Sequence, residues 1–150
     1  MIQVRVHSDF TSRVARDRVM RLAQKTLRLE KARAELTVYI TTDAEIHKLN
    51  RQFHATDAPT DVLAFPTNVH GGRERFGERA YLGDVIVSYD RARDQARAAG
   101  WRIADEIDLL VVHGILHLLG YDDLTSRKRA QMWRRQEEIL EHPINQADEA

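Results

Sequence analysis

The chain contains no cysteine. Disulfides and thiolate metal sites are thereby excluded, and any metal must be held by imidazole and carboxylate. Net charge is lacking as well: 23 Lys and Arg balance 23 Asp and Glu. No global field draws in nucleic acid, so affinity for it has to come from local clusters. The opening MIQVRVHSDF lacks the apolar stretch of a secretory signal, and no segment approaches the roughly 18 apolar residues of a membrane span. Internal repeats, low-complexity tracts and linkers are missing too. What these absences leave is the expectation of a soluble, cytoplasmic protein with no membrane partner. Its 150 residues suffice for one domain, 1–150, with its own core.

The patterning that is present predicts an α+β fold: a mixed sheet of about four strands packed with about five helices. IQVRV at Ile2–Val6 alternates apolar and polar, as a half-buried strand does. Thr11 or Ser12 is placed to cap a helix running to about Leu29, whose outer face carries Arg18, Arg21, Lys25 and Arg28. That stripe reads as a solvated helix face, with a phosphate-binding patch as the sharper alternative. Glu35–Thr41 is a second strand, and Thr42 with Glu45 makes a capping-box pattern for a helix to about Phe53. Val62–Phe65 is a short buried strand, residues 68–79 a polar, glycine-rich connection, and Leu82–Tyr89 the strongest strand. A helix follows over Asp90–Ala99, closed by Gly100. The next, from Trp101 to Leu119, is apolar nearly all round and should be central and buried. A last helix spans Ser126 to Glu141, with Met132, Trp133, Ile139 and Leu140 as packing residues, before a loose tail from Pro143.

Within the central helix stands VVHGILHLLGYDD. His113 and His117 are four residues apart and so share a helical face, one half of a metal site. Gly120 suits a left-handed turn that doubles the chain back, bringing Asp122 or Asp123 under the helix end. Two histidines and a carboxylate leave a fourth position open, the pattern of a catalytic rather than a structural metal. Ligand bonds of about 2.0–2.2 Å are expected for zinc. Glu106, seven residues before His113, is a candidate partner of the site or base. Position 114 is Gly, so the glutamate of H-E-x-x-H peptidases is missing.

HGILHLLGYDD resembles the H-G-x-L-H-L-x-G-Y-D-H signature of the YbeY family, metal-dependent bacterial endoribonucleases of ribosomal RNA maturation. LNRQFHATDAPTDVLAFP is similar to that family's L-N-x-x-Y-R-x-x-D-x-P-T-D-V-L-S-F-P, and LGDVIVS to its L-G-D-I-x-I-S. The three blocks keep their order from Glu35 to Asp123, over half of the chain.

The resemblance implies a mixed α/β fold holding one divalent metal ion, zinc by expectation. It also implies single-stranded and ribosomal RNA as substrate, and the small ribosomal subunit with its associated factors as partner. Carried over by position, His113 and His117 are the first two ligands and Asp123 stands where the family usually has a third histidine. Asp122 matches the family's own aspartate and is read as structural. The family's arginine is His54 here, so phosphate contact falls to His54, when protonated, or to the neighbouring Arg51. Thr60 and Asp61 are expected to fix the strand beside the site through backbone hydrogen bonds, and Ser88 to end a strand along which an extended substrate could lie. His7, His47, His70 and His142 read as surface residues. Arg127, Lys128 and Arg129 are a second candidate basic cluster for RNA. Two rival functions share these residues: a metal-dependent hydrolase of another bond, and a ribosome-associated RNA-binding factor whose metal is structural.

Overall fold

The computed structural model describes residues 1–54, 60–67 and 80–141. The connection over 68–79 and the tail from 143 lie outside them. The described residues form a four-stranded mixed sheet and five helices, the α+β architecture expected. Strands β1 (Ile2–Val6), β2 (Ala34–Thr41) and β4 (Ala80–Ser88) run parallel, and β3 (Val62–Pro66) is antiparallel on the edge beside β4, giving the order β1-β2-β4-β3. The helices are α1 (Arg16–Leu29), α2 (Asp43–His54), α3 (Tyr89–Ala99), α4 (Ile103–Leu118) and α5 (Ser126–Leu140).

The two faces of the sheet differ because side chains alternate along each strand. Leu36, Val38, Ile40, Val85 and Val87 point to one face, where they meet Ala23 and Leu27 of α1 and Leu110, Val111 and Ile115 of α4 in the main core. Tyr39, Leu63, Phe65 and Ile86 point to the other face, where Ile46 and Leu49 of α2 pack on them. Helix α4 is buried on more than one flank: Val112 and Leu116 also meet Met132 and Ile139 of α5, and Leu109 meets Trp133 and Trp101. A helix apolar nearly all round is the kind that takes such a place.

Some element starts and caps differ from expectation. Helix α1 starts at Arg16, not beside Thr11 or Ser12, and its N-cap Ala15 makes no side-chain bond. Phe10 is buried and stacked on Tyr89 with centroids 4.2 Å apart, so the segment before α1 is spent on a packed 3-10 turn, Ser8–Phe10. Tyr89 opens α3 rather than closing β4, because Ser88 Oγ accepts the Arg91 amide and caps that helix. The Thr42–Glu45 box is half formed: Thr42 Oγ1 accepts the Glu45 amide, while the Glu45 carboxylate takes the Thr41 hydroxyl.

Candidate metal centre

Helix α4 ends as its glycine suggested. Gly120 has φ +106°, its amide donates to the His117 carbonyl, and the Tyr121 amide donates back to the Leu116 carbonyl. This pair of bonds is a Schellman closure, and it reverses the chain just past His117. Each of the three residues after Gly120 is then tied down. Tyr121 Oη donates to Glu30 Oε1 at 2.9 Å, with Arg135 Nε on Glu30 Oε2 at 2.5 Å. Asp122 accepts from the Leu124 amide and from Lys128 Nζ, and Arg129 donates to the Asp123 carbonyl. With Asp122 so engaged, Asp123 is the carboxylate brought to the histidines.

One ligand atom from each of His113, His117 and Asp123 lies within 4.8 Å of the others. The two Nε2 atoms are 3.1 Å apart. Donors bound to one zinc ion at the tetrahedral angle stand roughly 3.4 Å apart, so the histidine pair fits a shared cation with little adjustment. The carboxylate, being exposed, is free to move the remaining distance. Two ring nitrogens facing each other need a proton or a cation between their lone pairs. Burial lowers the pKa of His113, and His117 acts in the same direction, outweighing the Gln136 contact and the charges of Asp61 and Asp123. The neutral ring that results is the form that ligates.

His113 Nδ1, on the opposite side of the ring, is 2.6 Å from Gln136 Oε1. Gln136 was not among the sequence candidates. Its signal was present all the same: a lone glutamine on the face of α5 that carries Met132, Trp133 and Ile139.

The histidines open onto a groove of about 410 Å³ lined by Thr60, Asp61, Val62, Leu63, Ala64, Pro66, His113, Gly114 and His117. Gly114 is the floor. A Cβ there would stand 2.4 Å from Val85 Cγ1, so no glutamate could occupy that position without displacing the sheet. Thr60 and Asp61 act through the backbone as expected: Thr60 Oγ1 reaches the Val62 carbonyl and the Asp61 carbonyl accepts the Ser88 amide. The Asp61 carboxylate also takes Gln95 Nε2 at 3.2 Å.

Several candidates are not at the centre. Glu106 is about 10.5 Å along the helix from His113 at 1.5 Å per residue, and its Oε1 accepts the Trp101 indole. It is a core partner, not a base. Ser88 is fully buried and spends its hydroxyl on Asp43 and the α3 cap, so no substrate reaches it. Arg51 is exposed on α2, which packs on the sheet face opposite α4, and it does not line the groove. His54 closes the same helix, its side chain outside the described residues. Two of the four cations of the α1 stripe are committed elsewhere: Arg18 pairs with Asp105 and Asp108, and Lys25 with Glu141. The cluster of Arg127, Lys128 and Arg129 is the better placed, since two of its members hold the segment bearing Asp123. His7 accepts the Asp9 amide, while His70 and His142 lie outside the described residues.

An α+β scaffold that gathers a carboxylate and two helical, groove-lining histidines defines a class, the candidate metal-centred hydrolases. Comparison with known proteins narrows the class. The family model described as Endoribonuclease YbeY matches residues 3–143. A relative from Aquifex aeolicus named Endoribonuclease YbeY is 39% identical over 136 residues, 90% of this chain and 87% of its own. One of the same name from Chloroflexus aurantiacus is 46% identical over 109 residues, 71% of each chain. The solution structure of TM1509 from Thermotoga maritima superposes with a TM-score of 0.64 at 25% identity, covering 94% of this chain and 87% of that one. The chain belongs to the YbeY endoribonuclease family.

Proposed function

We propose that this protein is a metal-dependent endoribonuclease that cuts single-stranded RNA during maturation and quality control of ribosomal RNA. His113 Nε2, His117 Nε2 and a carboxylate oxygen of Asp123 hold one divalent ion, zinc. The observation that carries the reading is the approach of these three ligand atoms within 4.8 Å, beside a groove that the two histidines line. When bound, such an ion supplies Lewis acidity toward a phosphate oxygen and acidifies water.

The protein's own groups do the rest. His113 stays neutral through burial. The groove between β3 and α4 is floored by glycine and walled by Val62, Ala64 and Pro66, which suits an extended strand rather than a duplex. Arg127, Lys128 and Arg129 offer phosphate contacts on the Asp123 side, and His54 and Arg51 are the further candidates for phosphate contact. Charge clustered in this way on a neutral chain should make RNA binding fall steeply with added salt. Ribosomal RNA as substrate goes with the small ribosomal subunit and its factors as partners, and with the cytoplasm as compartment.

A purely structural metal is closed by four protein ligands. Here the carboxylate is exposed and the histidines face a groove, which favours catalysis. The steric block at position 114 disfavours the peptidase reading. In the test, His117→Ala should lose bound zinc and ribonuclease activity together. Full cleavage of single-stranded RNA by a metal-free variant would remove the proposal.

A further inference from the structure

Among the described residues, Gln136 is the buried polar member of α5. Its side chain is fully excluded from solvent and flanked along its face by Met132, Trp133 and Ile139. Its amide Nε2 is buried with no hydrogen-bond partner. A leucine or methionine of similar size would bring no unmet donor into this core, and an unmet buried amide costs stability. The one contact that offsets the cost is Oε1 against His113 Nδ1 at 2.6 Å.

That contact has a chemical consequence. A carbonyl oxygen only accepts, so in the neutral ring Nδ1 carries the proton and Nε2 the lone pair. The nitrogen left bare is the one that faces His117 Nε2 at 3.1 Å. A neutral imidazole without this partner is free to place its proton on Nε2, which would block ligation from that side.

We propose that Gln136 is the positioning residue of the metal centre: it fixes His113 as the Nδ1–H tautomer and so directs the Nε2 lone pair at the cation. The proposal rests on the reading of His113 as a ligand. It goes beyond that reading in naming a residue on another helix that sets the ligand's protonation site before any metal arrives. An outer hydrogen-bond partner of a metal-bound histidine typically changes affinity by about 10- to 100-fold.

The experiment has two arms, both on the full chain. Long-range proton–nitrogen NMR at neutral pH on metal-free protein reads the tautomer of His113 directly. Wild type should show a protonated Nδ1 and a bare Nε2; Gln136→Leu and Gln136→Met should move population to the Nε2–H form. Zinc titration should then give a dissociation constant weakened by about 10- to 100-fold in both variants, while Gln136→Glu, which keeps an acceptor, retains tight binding. Thermal melting of the metal-free variants should not fall, which separates positioning from a folding defect. A wild-type His113 protonated on Nε2, or an unchanged zinc affinity in the leucine and methionine variants, overturns the assignment. Wild type that shows the expected tautomer but binds no zinc removes the metal reading itself, and with it the purpose assigned to Gln136.

Discussion

The two halves of α4 carry polar side chains on the same buried helix and settle them in opposite ways. In the first half the acids are engaged from within the protein. Arg18 Nη2 reaches Asp108 at 2.6 Å and Asp105 at 3.1 Å, and Glu106 takes the Trp101 indole at 3.0 Å. In the second half, two histidine nitrogens face one another at 3.1 Å with an exposed carboxylate beside them. The first arrangement is directed inward, at an arginine of α1 and an indole. The second is completed by a proton or a cation. Polar burial alone therefore does not mark a functional site; incompleteness directed at open space does.

Substitutions at the two ends should separate these roles. The largest effect is expected at the second half: His113→Ala or His117→Ala should weaken zinc binding by more than about 100-fold, since loss of an outer partner alone costs 10- to 100-fold. Isothermal titration would measure it, and the metal-free His117→Ala protein should show little change in melting temperature, whereas His113→Ala also strips buried Gln136 of its contact and should melt lower. Gly114→Ala should come next. Its new methyl group meets Val85, and overpacking of this kind costs about 1–3 kcal/mol. The pair Gly114→Ala with Val85→Ala should recover part of the loss, as a thermal-melting cycle would show.

At the first half, Arg18→Ala should lower stability by about 1 kcal/mol and leave zinc affinity unchanged. The smallest effect is in pH. Burial raises the Asp105 pKa, but hydrogen bonds from Arg102 and Arg18 outweigh it and hold the carboxyl below its usual range. A depressed pKa contributes stability above the unfolded value of about 3.9, lost as pH falls through the folded one. Acid unfolding of Arg18→Ala should therefore be shallower than that of wild type below about pH 4. An equal acid slope in both would remove the ion pair as its source.

The same division explains what could be read from the residues in order. Alternation in β1 and β2, the apolar girth of α4 and the glycine closing it were all legible, because each is a local pattern with a local cause. The approach of His113 and His117 to a carboxylate past the turn was legible too; spacing left Asp122 and Asp123 open, and the family resemblance pointed to Asp123. Three things were not. The start of α1 depended on Phe10 stacking on Tyr89, a contact spanning 79 positions. Ser88 looked like a groove residue until its hydroxyl was found capping α3. Gln136 belongs to another helix, and only the fold brings it to His113. Arg51 stands on α2, which packs on the sheet face opposite α4, a placement its nearness in sequence to the matched block did not show.

The most direct measurement is a crystal structure grown with zinc, with anomalous diffraction recorded at the zinc edge. The account predicts one strong peak bonded to Nε2 of His113, Nε2 of His117 and an oxygen of Asp123, each at about 2.0–2.2 Å, with a fourth position facing the groove. A peak elsewhere, or rings turned apart with no ion between them, would contradict it.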